Sequence, residues 1–137
     1  MNKYMEYKKY CEEKVNAFPM IFAFSKKQLE EGLNKLGVTK SEVISIGGGG
    51  FIRKSDKQNF HDLLDSFDEK LDENLEDDEF VLQMFKYEMG NHEYCITYND
   101  EEVIEACGLD LDRFNSNERL RKLYSESRTS YLDEVNS

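Results

Sequence analysis

The residues best suited to chemistry lie in one short segment, Asn91-His92-Glu93. An imidazole beside a carboxylate can transfer protons near neutral pH or help to bind a metal ion. The zinc-protease pattern HExxH is absent, because no second histidine lies four residues after His92, and His61 is the only other histidine in the chain. A small metal-dependent hydrolase centred on His92 and Glu93 is one interpretation. The alternatives are a helix end with satisfied hydrogen bonds, or a secondary contact with a partner.

A second group of residues offers hard oxygen ligands for Ca²⁺ or Mg²⁺. The carboxylates concerned are Asp72, Glu73, Glu76 and Asp77. The EF-hand pattern does not occur here, and no glycine lies between Gly50 and Gly90 to form its sharp turn. No cysteine has a local context typical of a nucleophile, and the esterase pattern GxSxG is also absent. We therefore predict no metal, no cofactor and no catalytic residue, and hence a protein that is not an enzyme.

Four consecutive glycines precede the run Phe51-Ile52-Arg53-Lys54 and suggest a phosphate-binding loop at first sight. The patterns GxxxxGK[ST] and GxGxxG both fail, because counting from Gly47 places Ile52 where each requires a glycine. The loop also precedes a β-prone run and not a helix. It therefore predicts a hairpin turn. The alternative is a secondary contact loop that binds an anion or an acidic partner through Gly48, Gly49, Arg53 and Lys54.

The clearest signal is an acidic segment that runs from Asp62 to Glu79. Its ten carboxylates are Asp62, Asp65, Asp68, Glu69, Asp72, Glu73, Glu76, Asp77, Asp78 and Glu79, against the single base Lys70. On a helix, side chains three or four positions apart lie about 5–6 Å from one another, which is comparable to the phosphate spacing along a nucleic-acid strand. A rigid row of carboxylates could therefore occupy a groove that is built for nucleic acid. A solvated helix face explains the same residues without any partner.

Helical periodicity and capping residues predict the elements that position these residues. We expect a helix over about 3–17 that ends before Pro19, and a second helix from the N-cap Ser25 to the stop at Gly37. Ser55 is the predicted cap of the third helix. The remaining helices are a fourth capped by Asp77 or Asp78, a short one between Asn99 and Gly108, and a last one over about 117–134.

The β-prone runs Val43-Ile44-Ser45-Ile46 and Phe51 to Lys54 flank the glycines and predict an antiparallel hairpin. Residues 94–98 predict a third strand, and residues 20–24 predict a buried strand or an extended core segment. The fold class predicted is α+β, with five or six helices packed around a small antiparallel sheet that includes the glycine-loop hairpin.

Composition limits the classes of function. The chain has 137 residues and a net charge of −11, so direct binding to nucleic acid or to an anionic membrane is not expected. Nine Phe and eight Tyr indicate a folded core, and the length suits a single domain over residues 1–137. The three cysteines, Cys11, Cys95 and Cys107, are widely spaced and predict reduced thiols. With no apolar stretch near the N-terminus, we expect a cytoplasmic protein of undetermined oligomeric state.

Three segments of the chain resemble a family of small uncharacterised proteins from phages and mobile elements of Clostridia and other anaerobic gut bacteria. They are Asn16-Ala17-Phe18-Pro19 with Phe22-Ala23-Phe24-Ser25, the stretch from Ser45 to Lys54, and Gly90-Asn91-His92-Glu93-Tyr94-Cys95. The resemblance covers about residues 10 to 125. It transfers no activity and no catalytic residue. It implies a genomic context in which small acidic proteins often inhibit host defence, in the manner of anti-CRISPR and anti-restriction proteins.

The main hypothesis from the sequence is therefore a non-enzymatic anti-defence inhibitor. Its acidic helical face would mimic DNA and bind the basic nucleic-acid channel of a CRISPR effector or restriction nuclease in the host cytoplasm. The first alternative is an acidic adaptor or regulatory module that a protein partner recognises through a surface of Tyr and Phe side chains, such as Tyr87, Tyr94 and Tyr98. The second alternative is the hydrolase described above.

Overall fold

Eight α-helices and one three-stranded antiparallel sheet make up residues 2–137, the part of the chain that this computed structural model describes. The elements are α1 (Lys3–Asn16), β1 (Met20–Phe22), α2 (Lys26–Leu36), β2 (Val43–Gly47), β3 (Gly50–Arg53), α3 (Lys57–Asn74), α4 (Asp78–Asn91), α5 (Tyr94–Thr97), α6 (Asp100–Ala106), α7 (Leu111–Asn115) and α8 (Glu118–Val135). The predicted α+β class is confirmed. The helix count exceeds five or six because α5 and α7, of four and five residues, are too short to show a period.

The chain packs as two compact units. The first unit contains residues 2–8 and 71–137, and the second unit contains residues 9–70. Helices α1 and α3 each begin in one unit and end in the other. That residues 1–137 behave as a single domain stays a prediction, which the cooperativity of unfolding would test.

The second unit is built on the sheet, whose strand order is β1-β3-β2. The glycines form the expected turn: Gly48 and Gly49 both have positive φ, as a tight two-residue hairpin turn requires. Ser25 caps α2 by accepting a hydrogen bond from the backbone N–H of Gln28, and Gly37 ends the helix in the left-handed conformation. The small core of this unit consists of Ile21, Leu33 and Val43, with Leu29, Leu36, Val38 and Phe51 against it.

The first unit holds the larger core, in which α4 and α8 pack together. The inner face of α4 is fully buried and carries Phe80, Val81, Met84, Phe85 and Met89. Helix α8 contributes Leu120, Leu123, Tyr124 and Tyr131 to the same core. Asp77 caps α4 and Asn117 caps α8, each through a hydrogen bond from a backbone N–H.

Two predictions about individual elements are wrong. Residues 94–98 are not a strand, because Tyr94–Thr97 forms one helical turn between the left-handed residues Glu93 and Tyr98. Ser55 does not cap α3 either. It lies within a 3₁₀ turn, Lys54–Asp56, that leads directly into the helix. The helix therefore begins from this turn and not from a capping side chain.

Candidate functional site

Helix α3 places its carboxylates in an ordered row. It carries Asp62, Asp65, Asp68, Glu69, Asp72 and Glu73, all of them exposed. At about 100° per residue, these six positions cover about 140° of the helix circumference. The buried Leu71 lies on the opposite side of the helix from Asp62 and Glu69. The row that the sequence predicted therefore exists on this helix.

Four of the ten predicted carboxylates are already paired within the first unit. Asp72 lies 2.8 Å from the guanidinium of Arg113, and Asp78 accepts a hydrogen bond of 2.8 Å from Nε of Arg119. The ammonium of Lys3 lies 2.6 Å from Asp77 and 3.1 Å from Glu79. These pairs neutralise the end of the acidic segment. Asp77, Asp78 and Glu79 also lie at the N-terminus of α4, where their negative charges interact favourably with the helix dipole.

The pairing of Asp77 changes its titration. The hydrogen bond from Lys3 is the main reason why the pKa of Asp77 is lowered, and backbone N–H groups of α4 act in the same direction. The pKa of Lys3 is raised by the same contacts. Asp77 therefore keeps its charge to lower pH than a free aspartate, and the cap of α4 keeps its charge with it.

The carboxylates of α3 in the second unit are the least neutralised. Asp62 accepts a hydrogen bond from Gln58, and Asp65 lies 3.9 Å from His61, a histidine that is 70% exposed. Asp68 and Glu69 form no ion pair with any residue over 2–137. These four carboxylates, Asp62, Asp65, Asp68 and Glu69, are called the α3 acidic face below. Glu73 and Glu76, in the first unit, are likewise exposed and have no ion pair over the described residues.

The glycine loop presents less basic charge than its sequence suggests. Nε of Arg53 donates a hydrogen bond of 2.7 Å to Asp56, so that guanidinium is partly satisfied within the second unit. Lys54 is exposed. Gly48 and Gly49 form the turn, and the aromatic ring of Phe24 lies directly over Gly49, where an added Cβ would be 2.4 Å from the ring. The loop and the ring thus form one surface.

The histidine of the segment Asn91-His92-Glu93 has a different partner from the one predicted. Nδ1 of His92 lies 2.9 Å from a carboxylate oxygen of Glu102, at the start of α6. Glu93 instead occupies the left-handed position that begins α5. His92 and Glu93 therefore do not form a dyad, and nothing in the sequence signalled Glu102 as the partner ten residues away.

A buried carboxylate escaped the sequence analysis. Glu88 is 1% exposed and accepts a hydrogen bond of 2.7 Å from the hydroxyl of Tyr4, while Nζ of Lys8 lies 3.5 Å away. The signal was available, because Glu88 follows Met84 and Phe85 by four and three positions and so falls on the inner face of α4. A hydrogen-bonded carboxylate of this kind fixes α1 against α4.

The described residues form neither a metal site nor a membrane-spanning helix. Over residues 2–137 no three His, Cys, Asp or Glu side chains are arranged so that they could hold a metal ion. No helix within that range combines the length and apolar character that crossing a bilayer requires.

Comparison with known proteins identifies the family. A model for a family of unknown function (DUF7659) matches residues 2–129, so the chain belongs to that family. No curated protein and no solved structure matches the chain.

Proposed function

We propose that this protein is a non-enzymatic inhibitor that binds a basic nucleic-acid channel of a host nuclease through the α3 acidic face. The observation that carries the proposal is the state of Asp62, Asp65, Asp68 and Glu69: they are exposed, they lie on one helix, and no Lys or Arg of residues 2–137 neutralises them. A surface of this kind matches a cavity whose own lysines and arginines normally bind phosphates.

Rigidity supports the proposal as well as charge. Helix α3 has 18 residues, and its carboxylates are spaced by helical geometry at about 5–6 Å. Because the row exists before binding, little conformational entropy is lost when a partner engages it. The paired carboxylates Asp72, Asp77, Asp78 and Glu79 are left out of the proposed contact, since a partner would have to displace this protein's own basic side chains.

The choice of a nuclease rests on the resemblance to phage and mobile-element proteins described above. In that context the protein would act in the cytoplasm of a bacterial host, as an anti-CRISPR or anti-restriction inhibitor. The family match adds no function of its own.

A charge-neutralisation experiment tests the proposal. The variant Asp62→Asn, Asp65→Asn, Asp68→Asn, Glu69→Gln removes four charges from the α3 acidic face. A panel of purified restriction enzymes and guide-RNA-directed nucleases is assayed for DNA cleavage and for binding by the wild type and the variant. We expect the wild type to compete with duplex DNA for at least one nuclease, with an affinity that falls steeply as salt rises, and we expect the variant to lose this effect.

A matched control separates a specific face from general charge. The variant Glu12→Gln, Glu13→Gln, Glu30→Gln, Glu31→Gln removes the same number of exposed carboxylates from α1 and α2, within the same unit. It should inhibit as the wild type does. Equal losses in both variants, or a nuclease complex that persists at 1 M salt, would reject the α3 acidic face as the binding site.

One observation favours a second candidate, the adaptor recognised through aromatic side chains. Phe22 and Phe24 are 58% and 78% exposed, at and just beyond the edge strand β1. Their neighbours Lys26 and Lys27 are exposed too, so this surface suits an acidic partner with apolar side chains. The same binding assays with Phe22→Ser, Phe24→Ser distinguish the two candidates. An adaptor would lose its partner in this variant and keep it when the α3 acidic face is neutralised.

A further inference from the structure

Helix α5 in the first unit is a short turn that holds an unusual pair of apolar side chains at the surface. Ile96 is 73% exposed and Tyr98 is 55% exposed, more than any other large apolar side chain described for this unit. Burying an apolar side chain of this size is normally favourable. Single exposed apolar residues that are scattered over a surface are common and require no explanation. The backbone around these two residues is also unusual.

Two strained residues bracket the turn. Glu93 has φ 51° and Tyr98 has φ 49°, and they are the non-glycine residues with positive φ among residues 2–137. L side chains rarely adopt this conformation, and residues held there tend to occur at binding and switching sites. The two left-handed residues lie on either side of the four-residue helix α5, and Ile96 between them is exposed.

The turn is also anchored firmly from within. Tyr94 is 1% exposed, and its hydroxyl donates a hydrogen bond of 2.6 Å to Asp100 while it accepts one of 2.8 Å from Nε of Arg128. The hydroxyl of Tyr131 accepts a hydrogen bond of 3.3 Å from the backbone N–H of Cys95. The ring of Tyr98 packs on the ring of Tyr94, with 5.5 Å between the ring centroids. The exposed side chains therefore stand on a rigid base.

The charge around the turn is negative. Glu93 precedes α5, and the first turn of α6 carries Asp100, Glu101 and Glu102. Arg128 contacts the hydroxyl of Tyr94, and His92 contacts Glu102. The whole first unit has 19 acidic and 8 basic side chains. Charge complementarity therefore requires a cationic partner, and it disfavours an anionic membrane surface or a nucleic acid.

We propose that α5 is a preorganised docking site for a protein segment whose apolar side chains are flanked by lysine or arginine, with Ile96 and Tyr98 as the apolar contacts and Glu93 and Glu101 as the charged rim. A rigid display of this kind lowers the entropy lost on binding, because the turn is ordered before the partner arrives. The site goes beyond the inhibitor function and does not depend on it, since the α3 acidic face lies in the second unit.

The test uses the full chain, labelled with ¹⁵N, and a synthetic amphipathic peptide of leucine and lysine. The peptide carries its leucines on one face of a helix and its lysines on the opposite face. A second peptide keeps every lysine and replaces leucine by serine. We expect the leucine–lysine peptide to shift the amide resonances of residues 93–102 in a saturable way. The serine–lysine peptide should not do so, because charge alone does not bury Ile96.

Two variants, each of which replaces an exposed apolar side chain by serine, decide the outcome. Ile96→Ser should weaken the leucine–lysine peptide about tenfold, while Val135→Ser, a change at an apolar residue that is 45% exposed, should leave the affinity unchanged. The proposal fails if both variants bind equally well, or if the shifts fall on the α3 acidic face. It also fails if neutral phosphatidylcholine vesicles shift residues 93–102 and the peptide does not, because the surface would then be a membrane contact.

Discussion

At the scale of single residues, the contact between Phe24 and Gly49 shows why one glycine of the loop differs from its neighbour. Both Gly48 and Gly49 have positive φ, at 59° and 79°, so any other residue is strained at either position. Only Gly49 is covered by a ring, and nothing lies within 4 Å of a Cβ added at Gly48. The sequence shows four equivalent glycines, and the tertiary contact distinguishes them.

Alanine substitutions at the two positions test this difference. Gly48→Ala should cost about 1 kcal/mol of unfolding free energy through backbone strain alone. Gly49→Ala should cost more, because the new methyl group must also displace the ring of Phe24. Urea denaturation measures both values. In a Phe24→Ala background the excess for Gly49→Ala should vanish, and an excess that persisted there would mean that the ring is not its cause.

Three helix caps were predictable from sequence, although the predicted cap Ser55 was wrong, whereas the ion pairs were not predictable. Ser25, Asp77 and Asn99 are caps as expected, because capping depends on residues two or three positions away. Asp72 pairs with Arg113, which is 41 positions distant, and Asp77 pairs with Lys3, which is 74 positions distant. The α3 carboxylate row could therefore be predicted, and the neutralisation of its end could not.

At the scale of elements, α5 explains why a β-prone run folded as a helical turn. Residues 94–98 are rich in aromatic and β-branched side chains, which favours a strand. The buried ring of Tyr94 and its hydrogen bonds to Asp100 and Arg128 require the chain to reverse at both ends of α5. Tertiary packing thus overrides local preference, at the expense of two left-handed residues. Helices α4 and α8 agree with the prediction because both have long, regular apolar faces.

Relieving one of those strained residues should stabilise the protein. Glu93→Gly removes the left-handed penalty, and after the added flexibility of glycine is subtracted the gain should be about 0.5–1 kcal/mol. The control Glu101→Gly removes the same charge from the first turn of α6 and should instead cost about 1 kcal/mol. Thermal and urea unfolding report both changes. A loss of stability in Glu93→Gly would show that the Glu93 side chain stabilises the fold by more free energy than its left-handed backbone costs.

At the scale of the whole molecule, the core of the first unit contains several ionisable groups that are buried in neutral form. Burial raises the pKa of the Tyr4 phenol, with a further contribution from its hydrogen bond to Glu88. Burial likewise raises the pKa of Tyr124, which also donates to Asp100, and of the Cys107 thiol, which lies near the charge of Glu88. These groups hold their protons more tightly in the folded chain than in the unfolded chain.

Stability should therefore fall in alkaline solution. Below the ordinary pKa values of cysteine and tyrosine, about 8.5 and about 10, both states keep the protons and stability is complete. As pH rises past these values the unfolded chain ionises first, and each buried group then removes up to about 1.4 kcal/mol per pH unit.

Comparing urea unfolding at pH 8 and pH 11 checks this expectation. The variants Tyr4→Phe and Tyr124→Phe should reduce the alkaline loss, since each removes one buried phenol. Tyr98→Phe, at a position that is 55% exposed, serves as the control and should leave the loss unchanged. An identical pH dependence in all three variants would contradict the role of the buried tyrosines.

The uneven distribution of charge between the units has a consequence for how the protein responds to its surroundings. The second unit has ten acidic and ten basic side chains, so the entire excess of −11 resides in the first unit. Carboxylates concentrated in this way repel one another and work against the folded state until dissolved cations gather around them. At about 0.1 M salt this repulsion is screened beyond about 10 Å. Dissolved cations such as potassium, although they occupy no defined position, would thus act as a diffuse component of the fold, and dilution into pure water would loosen the first unit well before the second.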